Sequence, residues 1–425
     1  MKTFVRTLIG LLLAVLLTIA ALIAVAFAAM KPKPDEWSVS LPLWRWQREA
    51  SVPTLLRWAT HPLLLPRLDG HRIVTSTGVW RLQAQGDGVL IATCAPCRPH
   101  LAALGPQPVP IDQVRLTLIP RGADRFDGEI LLGSGAQALR MPWRGELKAD
   151  GLQLRTDRAA PPLAQVLALF GDALPEAKTT RVEGRVSFAL EAVLGAQGLQ
   201  LKRLVPKLTE VAVSGLGTEA LADVDPGAGC RPQPAGGRIE GWIQNAVIAA
   251  EDARFFEHPG YELDAWVAVW KGNQQQPDTI QGASTITQQL AKLLYTGDER
   301  DAMRKVREWL YAVEMERTLG KGRILQLYLA VLPWGDGICG AEAAARHHLG
   351  KPVNQLKPRE AAWLASLLIN PDLQLRRWAV DASGGRERVA SVIKGMRRLP
   401  RERREAELDA LVSWRPPVGR SAAQR

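Results

Sequence analysis

Glu251 and Glu308 are the two acids of this 425-residue chain best placed to do chemistry. Glu251 follows the wholly apolar residues 246–250 and opens the run Glu251-Asp252-Ala253-Arg254-Phe255-Phe256-Glu257-His258-Pro259-Gly260. Its carboxylate should therefore stand at the edge of a buried surface. Burial raises a carboxylate pKa and nearby cations lower it again, which is how a glutamate is poised to accept a proton from a hydroxyl. An isolated Glu-Asp pair ordinarily begins a polar loop; Phe255, Phe256, His258 and Gly260 at fixed offsets make this one a candidate site.

A second group follows at Gly282-Ala283-Ser284-Thr285-Ile286-Thr287-Gln288-Gln289. The spacing predicts a helix over 285–295 with Ser284 as its N-cap and Gly282 allowing the entry. Thr285, Gln288, Gln289 and Lys292 would share a polar face opposite Ile286, Leu290, Leu293 and Leu294. Such a helix start suits phosphate oxygens. Arg300, Arg304 and Glu308 then recur at i+4 steps with Lys305 beside them. Taken alone that stripe is an ordinary salt-bridge face; beside a diphosphate it would hold the leaving group. A base plus a cationic cradle is what transfer of a sugar from a diphosphate requires.

The elements that must position these residues are helical. Ile239, Ile243, Val247 and Ala250 recur at helical spacing, and the chain is predominantly α from there, with residues 386–399 a basic helix candidate. Before it, from about residue 71 to 216, the period is two: Val114, Leu116 and Leu118 alternate with polar neighbours, as do Val182, Gly184, Val186, Phe188 and Leu190. Gly86-Asp87-Gly88 and Asp127-Gly128 read as turns, and a helix near 163–170 interrupts the strands. The fold class is thus α+β multidomain: residues 1–36 an anchor and linker, 37–225 an antiparallel β-rich accessory domain, 226–237 a Gly/Pro linker, 238–400 the catalytic helical domain, and 401–425 a charged tail. No internal repeat is evident.

Residues 8–30 are almost uninterruptedly apolar, long enough for a single membrane-spanning helix, and Trp37, Trp44 and Trp46 follow at a spacing suited to the headgroup level. A cleaved signal peptide, suggested by Ala26-Phe27-Ala28, would have a shorter apolar core. The net charge of +11 and pI near 9.7 suit an anionic partner, but no nucleic-acid-binding pattern accompanies the charge. Cys94 and Cys97 form a lone Cys-x-x-Cys with no second pair or nearby histidines to complete a metal site, which favours a structural or oxidised loop.

The motifs resemble, in order, those of the peptidoglycan glycosyltransferases, family 51. The first is Glu251-Asp252-x-x-Phe255-x-x-His258-x-Gly260, and the second Gly282-x-Ser284-Thr285-x-x-Gln288-Gln289-x-x-Lys292. Arg304-Lys305-x-x-Glu308-x-x-x-Ala312-x-x-Met315-Glu316 resembles the third, Lys321-x-x-Ile324-Leu325-x-x-Tyr328-Leu329 the fourth, and Gly340-Ala341-Glu342-Ala343-Ala344-Ala345 through Gly350-Lys351 the fifth. The resemblance implies a lysozyme-like α domain that polymerises lipid II into β-1,4 glycan strands with inversion, releasing undecaprenyl diphosphate outside the cytoplasmic membrane. It would make Glu251 the base on the acceptor hydroxyl and Glu308 the acid near the donor diphosphate. Lys292, Arg300, Arg304 and Lys305 would grip diphosphate, and Asp252, His258, Ser284, Thr285, Gln288 and Gln289 would bind substrate.

A membrane-dipping jaw would map to Leu263, Trp266, Val267, Val269 and Trp270. The resemblance requires no cofactor and leaves open a divalent cation, Mg2+ or Mn2+, at the diphosphate. Partners implied are lipid II, the growing strand, membrane lipid and, through the β domain, cell-wall synthesis proteins. A penicillin-binding module would need several hundred further residues, so the monofunctional class is the nearer likeness. Ala330 and Leu293 stand where the family usually has Asn, and His348-Leu349 replaces an aromatic pair. These departures keep a non-catalytic, lipid II-binding scaffold as the alternative. A lytic enzyme of the same fold would leave the cation set unexplained.

Overall fold

The computed structural model describes Thr18, Val25 and residues 28–43, 46–99, 108, 110–135, 138–196, 198–224, 238–264, 284–297, 303–335, 337–380 and 382–416. Most of the apolar run 8–30, the linker 226–237 and jaw residues Trp266, Val267, Val269 and Trp270 lie outside these. Among the described residues no helix is long and apolar enough to cross a membrane. The chain divides into two compact units. One comprises Met1–His100, Pro108–Ala173 and Gly184–Thr209; the other comprises Leu101–Gln107, Leu174–Glu183 and Glu210–Arg425.

The β-rich part is a hairpin, β1 (Ser38–Leu43) with β2 (Trp46–Ser51), and a nine-stranded sheet of strands in simple sequential order. Its members are β3 (Arg72–Thr75), β4 (Gly78–Gln85), β5 (Val89–Cys94), β6 (Val114–Pro120), β7 (Arg125–Leu132), β8 (Leu139–Lys148), β9 (Gly151–Ala159), β10 (Arg181–Gly195) and β11 (Gly198–Ser214). Alternation in the sequence decides the buried face. Leu82, Leu90, Leu118, Phe126, Trp143, Leu147 and Leu152 point to one core with Leu65. Ser51 caps α1 (Val52–Ala59), its hydroxyl accepting from the Thr54 amide at 3.2 Å. The helix expected near 163–170 is α2 (Leu163–Ala168).

Gly86, Asp87 and Gly88 do form the β4–β5 turn, with φ of 63° at Asp87 and 82° at Gly88. Asp127-Gly128 does not form a turn; both lie inside β7. Gly128 pairs with Trp143, and a Cβ there would meet the Thr117 carbonyl oxygen at 1.9 Å and the indole at 2.6 Å. This glycine is there so that the tryptophan can lie across the strand. Cys94 and Cys97 are joined as a disulfide, so the Cys-x-x-Cys is an oxidised loop; Cys339 is disulfide-bonded as well.

The helical unit adds α3 (Glu176–Thr179), α4 (Trp242–Glu251), α5 (Ile286–Ala291), α6 (Arg304–Thr318), α7 (Gly320–Val331), α8 (Ala341–Leu349), α9 (Pro358–Leu367), α10 (Pro371–Val380), α11 (Ala382–Gly395) and α12 (Arg401–Ser413). Helix α4 packs on α9 and α11, and α5 on α6 and α7. The largest wholly buried side chains of this unit include Trp334, Trp363, Tyr328 and Phe255. Ile239 lies before α4 and not within it; Gln326 pins it, donating to its carbonyl at 2.9 Å and accepting from its amide at 2.8 Å. The charged stretch after residue 400 is helical through Ser413. Leu411 joins the core, and Glu407 pairs with Arg359 at 3.0 Å.

Candidate active site

Glu251 is the last residue of α4, and Asp252 leaves the helix with φ −160° while its amide still closes on the Ile248 carbonyl at 3.0 Å. The Glu251 side chain is 15% exposed. Gln289 Nε2 donates to its Oε2 at 3.2 Å, and the Arg388 guanidinium lies 3.9 Å from its Oε1. The Gln289 amide is oriented by Tyr328, whose hydroxyl donates to Gln289 Oε1 at 2.7 Å. Burial raises the Glu251 pKa above the ordinary glutamate value, the Gln289 bond and Arg388 pull it down, and the Asp252 charge adds to the rise. Burial, with Glu251 and Asp252 near by, pushes the Tyr328 phenol well above its normal value, so it stays a donor. A carboxylate with few bonds and a raised pKa at a partly open edge is what proton abstraction needs.

Asp252 faces the other way. Both its oxygens lie 3.0 Å from His258 Nε2, and Oδ2 also accepts from the Ile286 amide at 2.9 Å. His258 Nδ1 accepts from the Gly260 amide at 3.1 Å, which assigns the ring proton to Nε2. Both side chains are buried. The pair works as a brace between the end of α4 and the start of α5. Gly260 has φ of 88°, and a Cβ there would meet Glu316 Cγ at 2.7 Å.

Helix α5 departs from the sequence expectation. Its N-cap is Thr285, not Ser284, and the α-helical part ends at Ala291. Thr285 accepts from the Gln288 amide at 3.2 Å, and Gln288 Oε1 accepts from the Thr285 amide at 3.1 Å, forming a capping box. Thr285 Oγ1 also donates to the Gly260 carbonyl at 2.6 Å. Thr285 and Gln288 are therefore buried, and the amides of Ile286 and Gln288 are occupied inside the protein. The capping box and Asp252 thus engage the Thr285, Ile286 and Gln288 amides at this helix start within the protein. A wider turn over Lys292–Thr296 follows, sealed by the Gly297 amide on the Lys292 carbonyl at 2.9 Å.

Glu308 is completely buried on α6. Arg304 donates to its Oε1 at 2.9 Å and Lys305 to its Oε2 at 2.5 Å, while Lys305 also donates to Ser284 Oγ at 2.8 Å. The first turn of α6 contains no acid. Two cations at the positive end of a helix oppose the dipole, a local conflict that costs stability and concentrates positive potential. Ser284 and Glu308 are thus tied through Lys305, and Gln289 is tied to Glu251; Arg300 lies outside the described residues.

Residues 234–397 match a family model described as Transglycosylase. The match takes in both glutamates and every described residue of the candidate site. Curated relatives named biosynthetic peptidoglycan transglycosylase are similar over the same part. That of Nitrosomonas eutropha is 46% identical over 134 residues, covering 32% of this chain and 55% of the relative. That of Ralstonia nicotianae is 41% identical over 152 residues, 36% of this chain and 65% of the relative. The Bordetella avium protein is 47% identical over 138 residues, 32% of this chain and 58% of the relative. The chain spans between 55% and 65% of the length of these curated relatives.

Within the matched residues, Ala330 is buried in α7, and Gly340 packs so closely that a Cβ would lie 2.6 Å from the Ala330 carbonyl oxygen. Four positioning contacts leave no pattern in the sequence. Arg388 comes from the basic helix at the far end of the domain, and periodicity gives no sign that it approaches Glu251. Thr287 donates to Glu316 Oε1 at 2.5 Å, and Lys321 donates to the same oxygen at 2.8 Å while standing 4.5 Å above the Phe255 ring. The spacing marks Tyr328 as a motif residue, and the structure adds its bond to Gln289.

Proposed function

We propose that this chain is a membrane-anchored peptidoglycan glycosyltransferase. It polymerises lipid II into β-1,4-linked glycan with inversion and releases undecaprenyl diphosphate. The observation that carries this reading is the contrast between its two glutamates. Glu251 is held by one amide at an edge with its pKa raised, whereas Glu308 is fully buried between two cations. Glu251 takes the proton from the acceptor sugar's 4-hydroxyl as that oxygen attacks the donor's anomeric carbon. Arg304, Lys305, Lys292 and Arg300 receive the negative charge of the departing diphosphate. Glu308 orients Arg304 and Lys305 and does not touch the sugar.

Both Glu308 oxygens are engaged by cationic groups, so a divalent cation at the diphosphate would take its ligands from the diphosphate and water in place of Glu308. The apolar residues 8–30 supply the anchor, with the catalytic domain on the extracytoplasmic side of the cytoplasmic membrane. The β-rich region offers a surface for cell-wall synthesis proteins.

The reading is tested by incubating the full chain in detergent with labelled lipid II. Glycan of many repeats, digestible by a muramidase, is the expected product. Lipid II binding without polymer would support the scaffold in its place.

A further inference from the structure

Helix α6 carries the cationic side of the site on one face and a second stripe, Arg307, Tyr311, Glu314 and Thr318, on another. That stripe is held by segments that precede the matched residues 234–397. Glu176 Oε1 accepts from Arg307 Nε at 2.5 Å. Glu314 is wholly buried, and its carboxylate accepts from the Leu216 amide at 2.9 Å, the Thr218 amide at 3.3 Å and the Thr218 hydroxyl at 2.9 Å. Arg317 donates to the Val213 carbonyl at 3.3 Å, and Arg323 donates to the Leu221 carbonyl at 3.0 and 2.8 Å and to the Val224 carbonyl. Between Arg307 and Glu314, Tyr311 stacks on Tyr295, with ring centres 4.1 Å apart and planes within 9°. Tyr295 belongs to the turn that begins at Lys292.

We infer that residues 174–183 and 210–224 form a clasp that positions α6 and the Lys292 turn, making Glu176 and Thr218 positioning residues for the diphosphate-gripping cations. The inference rests on the reading of Arg304, Lys305 and Lys292 as that grip. A buried carboxylate fixes its donors sharply, since losing one leaves charge unpaired in a low dielectric. Arg307 adjoins Glu308 in sequence, and Arg304 and Lys305 lie within one turn of it. A tilt of α6 released at Thr218 or Glu176 therefore displaces both cations. The transglycosylase site is completed by chain that the family match does not include.

The test uses full-length Thr218→Val, Thr218→Ser and Glu176→Gln, with calorimetric titration of farnesyl diphosphate beside lipid II kinetics. Thr218→Val and Glu176→Gln, folded by circular dichroism, should each weaken farnesyl diphosphate binding and raise KM by about tenfold, with kcat changed less than threefold. Thr218→Ser keeps the hydroxyl and should stay within about twofold of wild type. Wild-type diphosphate affinity in folded Thr218→Val, no rescue by serine, or no diphosphate binding by wild type would overturn the clasp. Should wild type bind diphosphate and make no glycan, the polymerase reading fails, and the clasp is decided by the binding data alone.

Discussion

Gln289 presents its amide nitrogen to Glu251 at 3.2 Å because Tyr328 has claimed its oxygen at 2.7 Å. The bond steadies the carboxylate without satisfying it, and burial keeps the pKa above the ordinary value. Removing the Gln289 amide takes away a contribution that lowers this pKa, so in Gln289→Ala the carboxylate protonates at higher pH. The acid limb of the kcat/KM profile should move upward, and activity just above that limb should fall. A profile superimposable on wild type would remove Gln289 from the account.

Glu251→Gln should make the protein more stable near neutral pH while lowering its activity. The folded pKa is raised, so the native state binds the proton more tightly than the unfolded chain. Stability from this group is present at low pH and is lost as pH rises from the normal glutamate value through the raised one. Glutamine avoids that loss. The Tm difference between variant and wild type should be positive at pH 7 and shrink below about pH 4.5.

Asp252→Ala should destabilise by about 3 kcal/mol, because it leaves His258 and the Ile286 amide without their acceptor in a buried place. Urea unfolding measures this. His258→Ala should cost less, since Asp252 keeps the Ile286 amide. Equal and negligible losses would contradict the brace.

The general architecture was legible because period two and helical period are direct records of which face is buried. The choice of Thr285 as the cap of α5 was not, since Ser284 and Thr285 are equally good caps by type, and only the Gly260 carbonyl and Asp252 choose between them. Asp127-Gly128 has turn chemistry, yet the need to seat Trp143 overrode it. Contacts made across long stretches of sequence, such as Arg388 to Glu251, leave no local pattern. The order of the five motifs, by contrast, singles out Glu251 and Glu308 from residue types and spacing alone, without the side chains that surround them.

Gly128→Ala should destabilise the β-rich unit by about 1–3 kcal/mol or more, because the added methyl meets backbone at 1.9 Å and no flexible side chain can give way. Thermal unfolding that leaves the helical unit's transition in place and lowers another is the expected signature. An unchanged melting profile would show that Trp143 has room to move.

The most direct test of the central claim is the rate of lipid II polymerisation by the full chain beside Glu251→Gln, with both shown to be folded and to bind farnesyl diphosphate. Loss of the base should slow turnover by about 100- to 10,000-fold with diphosphate affinity intact. Polymerisation by Glu251→Gln at the wild-type rate would contradict the assignment of Glu251 as the base.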